Sequence, residues 1–304
     1  MKELFLILFL IFFKFSAYAQ EIKIIFKVNN EIITNIDIDN EYKYLITFNQ
    51  NLNNLNKNEV IEIAKKYIIQ EKIKNKEIKN LIKIEDKNFE NKVISNFFRQ
   101  QGFDTEADFK NFLGTINLNY DFLKSKILGE NLWRQIIYEK FKNKLKIDKN
   151  KIQMEIKETF NKNNKLFEYN ISEILIKKDQ NYIEEFKKIK EQIKESNFQI
   201  AASKFSISDT SKMGGLIGWI EGSTLSPEIN NLLKKLNVNE FTEPFEVPGG
   251  YLILRINDKK EIIQKQDLEK QTNLRINFEI NKQLTQYSLM YYKKLEQNAL
   301  INES

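Results

Sequence analysis

The sequence predicts an α+β fold in which a mostly helical body is interrupted by one small α+β domain. Three observations predict it. Only three prolines and nine glycines occur in 304 residues, so chain breaks are few and long helices are favoured. Apolar residues recur at spacings of three and four over much of residues 35–161 and again over 264–299, the pattern of helices with one buried face. Between these stretches, residues 167–259 switch to strand alternation around a glycine-rich run, MGGLIGWIEGSTLSPEI. The expected division is therefore a leader over residues 1–19, a helical part over 20–165, an α+β part over 167–259 and a closing helix over 264–299.

The leader reads as an export signal. Lys2 precedes an apolar run over residues 4–13, and Ala17-Tyr18-Ala19 has the small-x-small form of a signal-peptidase site. The run is about half of the roughly 20 residues that a spanning helix needs. Cleavage is expected after Ala19, which leaves no stable membrane anchor; an uncleaved, anchored chain is the alternative. No cysteine follows the run to carry a lipid.

Residues 22–34, IKIIFKVNNEIIT, are strand-rich, with Asn29-Asn30 as a hairpin turn. Asn35 or Asp37 is expected to cap a helix carrying Ile38, Tyr42 and Leu45. An Asn-rich loop follows near residues 49–58, and helical spacing resumes at Val60, Ile63, Ala64, Tyr67 and Ile68. A helix over 88–101 should stop at Gly102, and Thr105 with Asp108 resembles a capping box for the next one. The longest helix is expected over 118–145, followed by an amphipathic segment over 149–161.

In the α+β part, residues 169–177 alternate as a strand, 182–196 have helical spacing, and 198–205 form a shorter helix. Ser226-Pro227 is a helix start, a hydroxyl cap followed by proline at the first position. Residues 244–247 and 251–256 are extended stretches around Pro248-Gly249-Gly250. The closing helix places Ile276, Ile280, Leu284, Tyr287, Tyr291 and Leu295 on one stripe, which must be buried elsewhere. The economical partner is the N-terminal helical part.

Composition excludes several function classes. The chain has neither cysteine nor histidine, which removes disulfides, thiolate nucleophiles, imidazole acid–base chemistry and almost every zinc, copper or haem site. No cofactor and no metal are expected. Asp37-x-Asp39 and Glu184-Glu185 lack calcium-loop spacing and read as solvated surface. Gly214-Gly215 with Gly218 is no nucleotide loop, because no Lys-Ser/Thr follows. The net charge is +6, but arginine occurs only at positions 99, 134, 255 and 275, and lysine alternates with glutamate throughout. No nucleic-acid partner is expected.

Residues 167–259 resemble the parvulin domain of peptidyl-prolyl isomerases. The resemblance is carried by SEILI (172–176), FQIAASKFS (198–206), GGLIGW (214–219), LSPEI (225–229) and GGYLILRI (249–256). The run VNNEIITNIDIDNEYKYL (28–45) resembles the opening of the N-terminal domain of the SurA chaperones, and KLEQNALI (294–301) their tail. The resemblance implies a helical chaperone core, an inserted parvulin-like domain, a periplasmic location, and unfolded outer-membrane or other exported polypeptides as partners. It also implies site residues. The two family histidines fall at Glu173 and Leu252, the Cys or Asp lining the same site falls at Ser208 or Asp209, and the Asp after the glycines has become Leu216. The prolyl pocket corresponds to Ile217, Leu225 and Ile229, with Trp219 nearby. Binding with weak or lost isomerase activity is the leading expectation; an active isomerase is the alternative.

Overall fold

A computed structural model describes residues 21–82, 86–161, 166–178, 181–262 and 267–303. The expected leader and its Ala17-Tyr18-Ala19 site lie outside the described residues. The chain opens on a hairpin, β1 (Ile24–Val28) and β2 (Glu31–Thr34). Asn29 takes a left-handed conformation (φ 55°) at the turn, which asparagine tolerates better than most residues. The first helix, α1 (Asn35–Phe48), is capped by Thr34, whose hydroxyl accepts from the Asp37 amide while the Asp37 carboxylate accepts from the Thr34 amide. The cap is thus one residue before the expected Asn35. Asp37 is the reciprocal partner within a capping box, because a side chain must precede the first turn to reach its free amides.

The helical part continues through α2 (Lys57–Leu81), α3 (Lys87–Gln100), α4 (Glu106–Thr115), α5 (Tyr120–Phe141) and α6 (Lys149–Asn161). The Asn-rich stretch contains a short 3-10 turn over Gln50–Asn54, and Asn56 caps α2. Thr105 caps α4 with its hydroxyl 2.6 Å from Asp108 Oδ2. One large apolar cluster joins the hairpin to α1–α5 through Ile33, Leu45, Ala64, Tyr67, Phe109 and Leu123.

Strand β3 (Leu166–Lys177) opens a second unit, followed by α7 (Tyr182–Glu195), α8 (Phe198–Phe205), β4 (Leu216–Glu221), α9 (Pro227–Lys234), β5 (Phe245–Val247) and β6 (Gly250–Ile262). The antiparallel sheet has the order β4-β3-β6-β5. Both faces are covered. Ile174, Ile176 and Ile253 pack against Phe186, Ile189 and Phe198 of α7 and α8. Ile171, Leu254 and Ile256 pack on the other face against Ile229 and Leu233 of α9. Strand β6 extends to Ile262, beyond the expected 251–256, because β3 pairs with it along its whole length from Leu166 to Lys177.

The closing helix α10 (Leu268–Gln297) runs along both units. Its C-terminal half packs Leu284, Tyr287, Tyr291 and Leu295 on Trp133, Ile136 and Ile137 of α5. Its N-terminal half reaches the sheet unit, where Phe278 joins the α9 cluster, Arg275 donates to Thr224 O at 3.0 Å, and Gln271 donates to Glu221 at 2.6 Å. The chain ends in β7 (Ile301–Glu303), which pairs with β1 to give a sheet of order β2-β1-β7. Among the described residues, no helix is long and apolar enough to cross a membrane.

Candidate functional site

The alternation of β3 places Glu173 on the face that carries Ile171 and Leu175, toward α9. On β6, Leu252 pairs with Leu175 and Leu254 pairs with Glu173, so Glu173 and Leu252 share that face on adjacent strands. The loop after α8 comes over Glu173. It is stitched to β3 by Ile207 N→Leu175 O at 2.8 Å, Leu175 N→Ser206 Oγ at 3.1 Å and Glu173 N→Gly215 O at 2.8 Å. Gly215 has φ +77°, and a Cβ there would meet the Glu173 carbonyl oxygen at 2.2 Å. Only glycine permits this approach.

The result is a compact polar cluster. Ser208 Oγ donates to Glu173 Oε1 at 2.6 Å, and Thr210 Oγ1 lies 2.9 Å from the same oxygen and 3.1 Å from Ser208 Oγ. Burial pushes the Glu173 carboxyl above the ordinary glutamate range; the two hydroxyls pull it back, and nearby Asp209 pushes it further up. Asp209 itself turns away toward the helical part, where Lys74 of α2 meets its carboxylate at 2.8 Å. Partial desolvation by the neighbouring helices pushes Asp209 up, but Lys74 and Lys212 outweigh it and hold the group below its ordinary value. The sequence left Ser208 and Asp209 as alternatives for one position. In the structure Ser208 lines Glu173 and Asp209 serves the contact with α2. Thr210 is a site residue that the sequence reading missed; its position two residues after Ser208, in a loop returning over one strand, was the available signal.

The four residues expected to grip a proline do not converge. Leu225 and Ile229 are buried with Leu254 and Ile256 and form part of the core under α9. Ile217 and Trp219 stand exposed on the edge strand β4. Trp219 pairs with Asn170, one residue out of phase with Tyr169 and Ile171, which turns it to the opposite face, where Lys260 Nζ sits 4.3 Å from its ring. Leu216, where the resemblance places an Asp, is about half exposed (49%). Leu252 is half-buried against the α9 cluster.

Helix α8 and the loop after it form the seam between the sheet unit and the helices. Tyr67 Oη donates to Ser203 O at 3.0 Å, and Asn49 Nδ2 donates to Ser203 Oγ and Lys212 O, both at 3.1 Å. Lys212 pairs with Glu130 of α5 at 2.6 Å, and Lys204 with Glu59 of α2 at 2.8 Å. Behind Glu130, the buried Lys126 amine meets both Glu41 oxygens at 2.9 and 2.7 Å and Glu71 at 2.9 Å. Burial disfavours the charge of Lys126, but Glu41 and Glu71 hold its pKa well above the ordinary lysine value. Among the described residues no group of three or more Asp or Glu side chains is placed to hold a metal ion.

A four-stranded antiparallel sheet with α7 and α8 on one face, α9 on the other, and a glycine-pinned loop over the central strand defines a parvulin-type domain. Residues 169–258 match the family model of the PPIC-type PPIase domain, or rotamase. Foldase protein PrsA of Clostridium botulinum is 29% identical over 258 residues, covering 79% of this chain and 72% of that protein. Chaperone SurA of Pseudomonas aeruginosa is 36% identical over 62 residues, 20% of this chain and 15% of that one. A solved SurA-like chaperone of Campylobacter jejuni covers 92% of this chain and 98% of its own at 18% identity, with a TM-score of 0.37. Residues 169–258 are thus a PPIC-type PPIase domain, and the chain around them is similar to proteins named as PrsA foldases and SurA chaperones.

Proposed function

We propose that this protein is a periplasmic chaperone, exported and cleaved after Ala19, that holds unfolded outer-membrane or other exported polypeptides, and that its parvulin-type domain binds chains without efficiently isomerising them. The observation that carries this reading is the state of the family site. Glu173 and Leu252 stand where the resemblance places the two family histidines, the Glu173 carboxyl is spent on Ser208 and Thr210, and Leu225 and Ile229 are committed to the core. Rotation about X–Pro faces a barrier of roughly 18–20 kcal/mol. No bond breaks, so catalysis needs only that the twisted amide be held better than the planar one. Each tenfold in rate requires about 1.4 kcal/mol of that preference, and a proline offered exposed Ile217 and half-buried Leu252 is gripped weakly.

The second reading, an active prolyl isomerase, is favoured by the cluster of Glu173, Ser208 and Thr210, which retains hydrogen-bonding groups on the sheet where the family site lies. The two readings separate on one preparation of the mature chain. Light scattering of a diluted, denatured outer-membrane protein should fall at stoichiometric amounts of this protein. Catalysed cis/trans exchange of a prolyl peptide should stay close to the uncatalysed rate. Strong exchange with no effect on scattering would make the protein an isomerase first. N-terminal sequencing of exported protein should begin at Gln20; a start at Met1 would favour the anchored form.

A further inference from the structure

A cleft of about 440 Å³ lies where three parts of the chain meet. Its walls come from α2 (Lys66), from α10 (Leu289, Met290 and Lys293), and from the sheet unit (Lys177 at the end of β3, and Ile207). Ile207 immediately precedes Ser208, so the cleft adjoins the loop over Glu173 without being part of that cluster. The volume is within the range of sites that enclose small ligands or a few side chains.

The lining combines an apolar floor with a cationic rim. Leu289, Ile207 and the exposed Met290 supply the floor; methionine is unbranched and adapts to irregular partners. The charge around it is not balanced. Lys66 donates to the carbonyl oxygens of Lys204 and Ser206, both at 3.1 Å. Burial, followed by repulsion from Lys177, lowers its pKa to about 8 against a smaller opposing pull from Glu185. Neither Lys177 nor Lys293 has a carboxylate partner in an ion pair among the described residues. Glu296 also lines the cleft and already accepts from Tyr292 Oη at 3.0 Å. Four lysines line the cleft; Lys178 is paired with Glu246, and the other three border an apolar floor whose one acidic lining group is itself engaged.

We propose that this cleft binds an extended segment of client polypeptide in which a carboxylate is flanked by apolar side chains. The carboxylate would sit among Lys66, Lys177 and Lys293, with the apolar side chains on Ile207, Leu289 and Met290. A small anion would leave the floor uncovered, and a wholly apolar segment would leave the lysines facing one another. An acidic, apolar chain satisfies both. The proposal rests on the chaperone reading above and adds to it a place of capture and a sequence preference.

The test uses the full mature chain and two fluorescently labelled nonapeptides of alternating apolar and polar residues. They are identical except that two glutamates in one are glutamines in the other. Anisotropy titration should show the glutamate peptide binding about five- to tenfold more tightly, the size expected of a few partly exposed charge pairs. Lys177→Glu with Lys293→Glu, two solvent-side changes, should abolish or reverse that preference. Leu289→Ser should weaken both peptides, and circular dichroism checks that each variant is folded. Equal affinity of the two peptides for the wild-type chain, or a preference that survives the double charge reversal, would overturn the proposal. Aggregation suppression is measured on the same samples. Suppression without a peptide preference ends the cleft proposal and leaves the chaperone reading standing; a preference without suppression does the reverse.

Discussion

The helical part is gripped twice, once by α10 and once by the sheet unit, and the two contacts differ in chemistry. The contact with α10 is mainly aromatic and apolar, with tyrosine hydroxyls bonded at its edge. The Trp133 and Tyr291 rings stack at 5.7 Å, the Phe141 and Tyr287 rings stack at 4.6 Å, and Trp133 Nε1 donates to Ser288 Oγ at 2.8 Å. The contact with the sheet unit is polar, built from Lys74–Asp209, Lys212–Glu130, Lys204–Glu59 and the hydrogen bonds of Tyr67 and Asn49. Apolar burial is favourable in proportion to area and has no good substitute in water. Ion pairs and hydrogen bonds exchange with water at small net cost. The difference teaches that α10 is a permanent part of the helical unit, whereas the sheet unit is held by contacts that can be released one at a time.

The largest effect should come from breaking the aromatic contact. Ending the chain before residue 264 would expose Trp133, Leu132, Ile136 and Ile137, each worth about 1.5–3 kcal/mol when buried. The helical part should lose its cooperative thermal transition, while amide signals of the four-stranded sheet persist. An unchanged melting curve for the helices would show that α10 is dispensable to them.

Next in size is the buried charge behind the polar contact. Lys126→Met leaves Glu41 buried without its cation, and breaking a buried pair in this way costs about 3–5 kcal/mol. Chemical denaturation should show a lower midpoint with an unchanged slope. Because burial already pushes the Glu41 carboxyl up, the loss should shrink as the pH falls and that carboxyl takes up a proton.

A smaller effect is expected at the seam itself. Lys74 and Asp209 form a pair in which Asp209 is more than half exposed (57%), so a double-mutant cycle to alanine should give a coupling of about 1 kcal/mol or less. The pH dependence has a definite sign. Asp209 is held below its ordinary value, so its contribution is fully present above the ordinary aspartate pKa, about 3.9. That contribution is lost as the pH falls through the lowered folded-state value. Distance measurements between labels on α2 and α7 should show docking that weakens only in strong acid, and Asp209→Asn should shrink that step, leaving the part carried by Glu130 and Glu59, whose carboxyls are also held below the ordinary range.

The smallest effect is at the family site. Glu173 is pushed up by burial, so its ionisation works against the fold. Its contribution is full below the ordinary glutamate value and is lost as the pH rises through the folded-state value. Glu173→Gln should therefore be neutral or raise the melting temperature slightly at pH 7, with the gain vanishing near pH 4. A marked loss of stability at pH 7 would mean that the ionised carboxylate is itself a structural anchor for the loop.

Much of this protein is written in local sequence. Apolar spacing placed the amphipathic segments near their observed helices, because a stripe with a 3.6-residue period can be buried only by a helix. Ser226-Pro227 and Thr105 marked helix starts because capping is a contact between near neighbours in the chain. The motifs GGLIGW and GYLIL located the parvulin-type sheet because glycines that permit a close crossing have fixed places along the chain. Tertiary structure decided the rest. The terminal strand β7 is three exposed residues without a pattern and exists only because β1 offers an edge. Leu225 and Ile229 look like pocket residues in the sequence, yet the packing of α9 buries them, while the register of β4 turns Trp219 to the opposite face. Asp209 belongs to the contact with α2 because Lys74, 135 residues away in the chain, meets it there. Hydrophobic period, caps and glycine turns are local properties and can be read from one segment. Which face a strand presents, and which charge finds a partner, depend on residues distant in sequence, and only the folded chain brings these together.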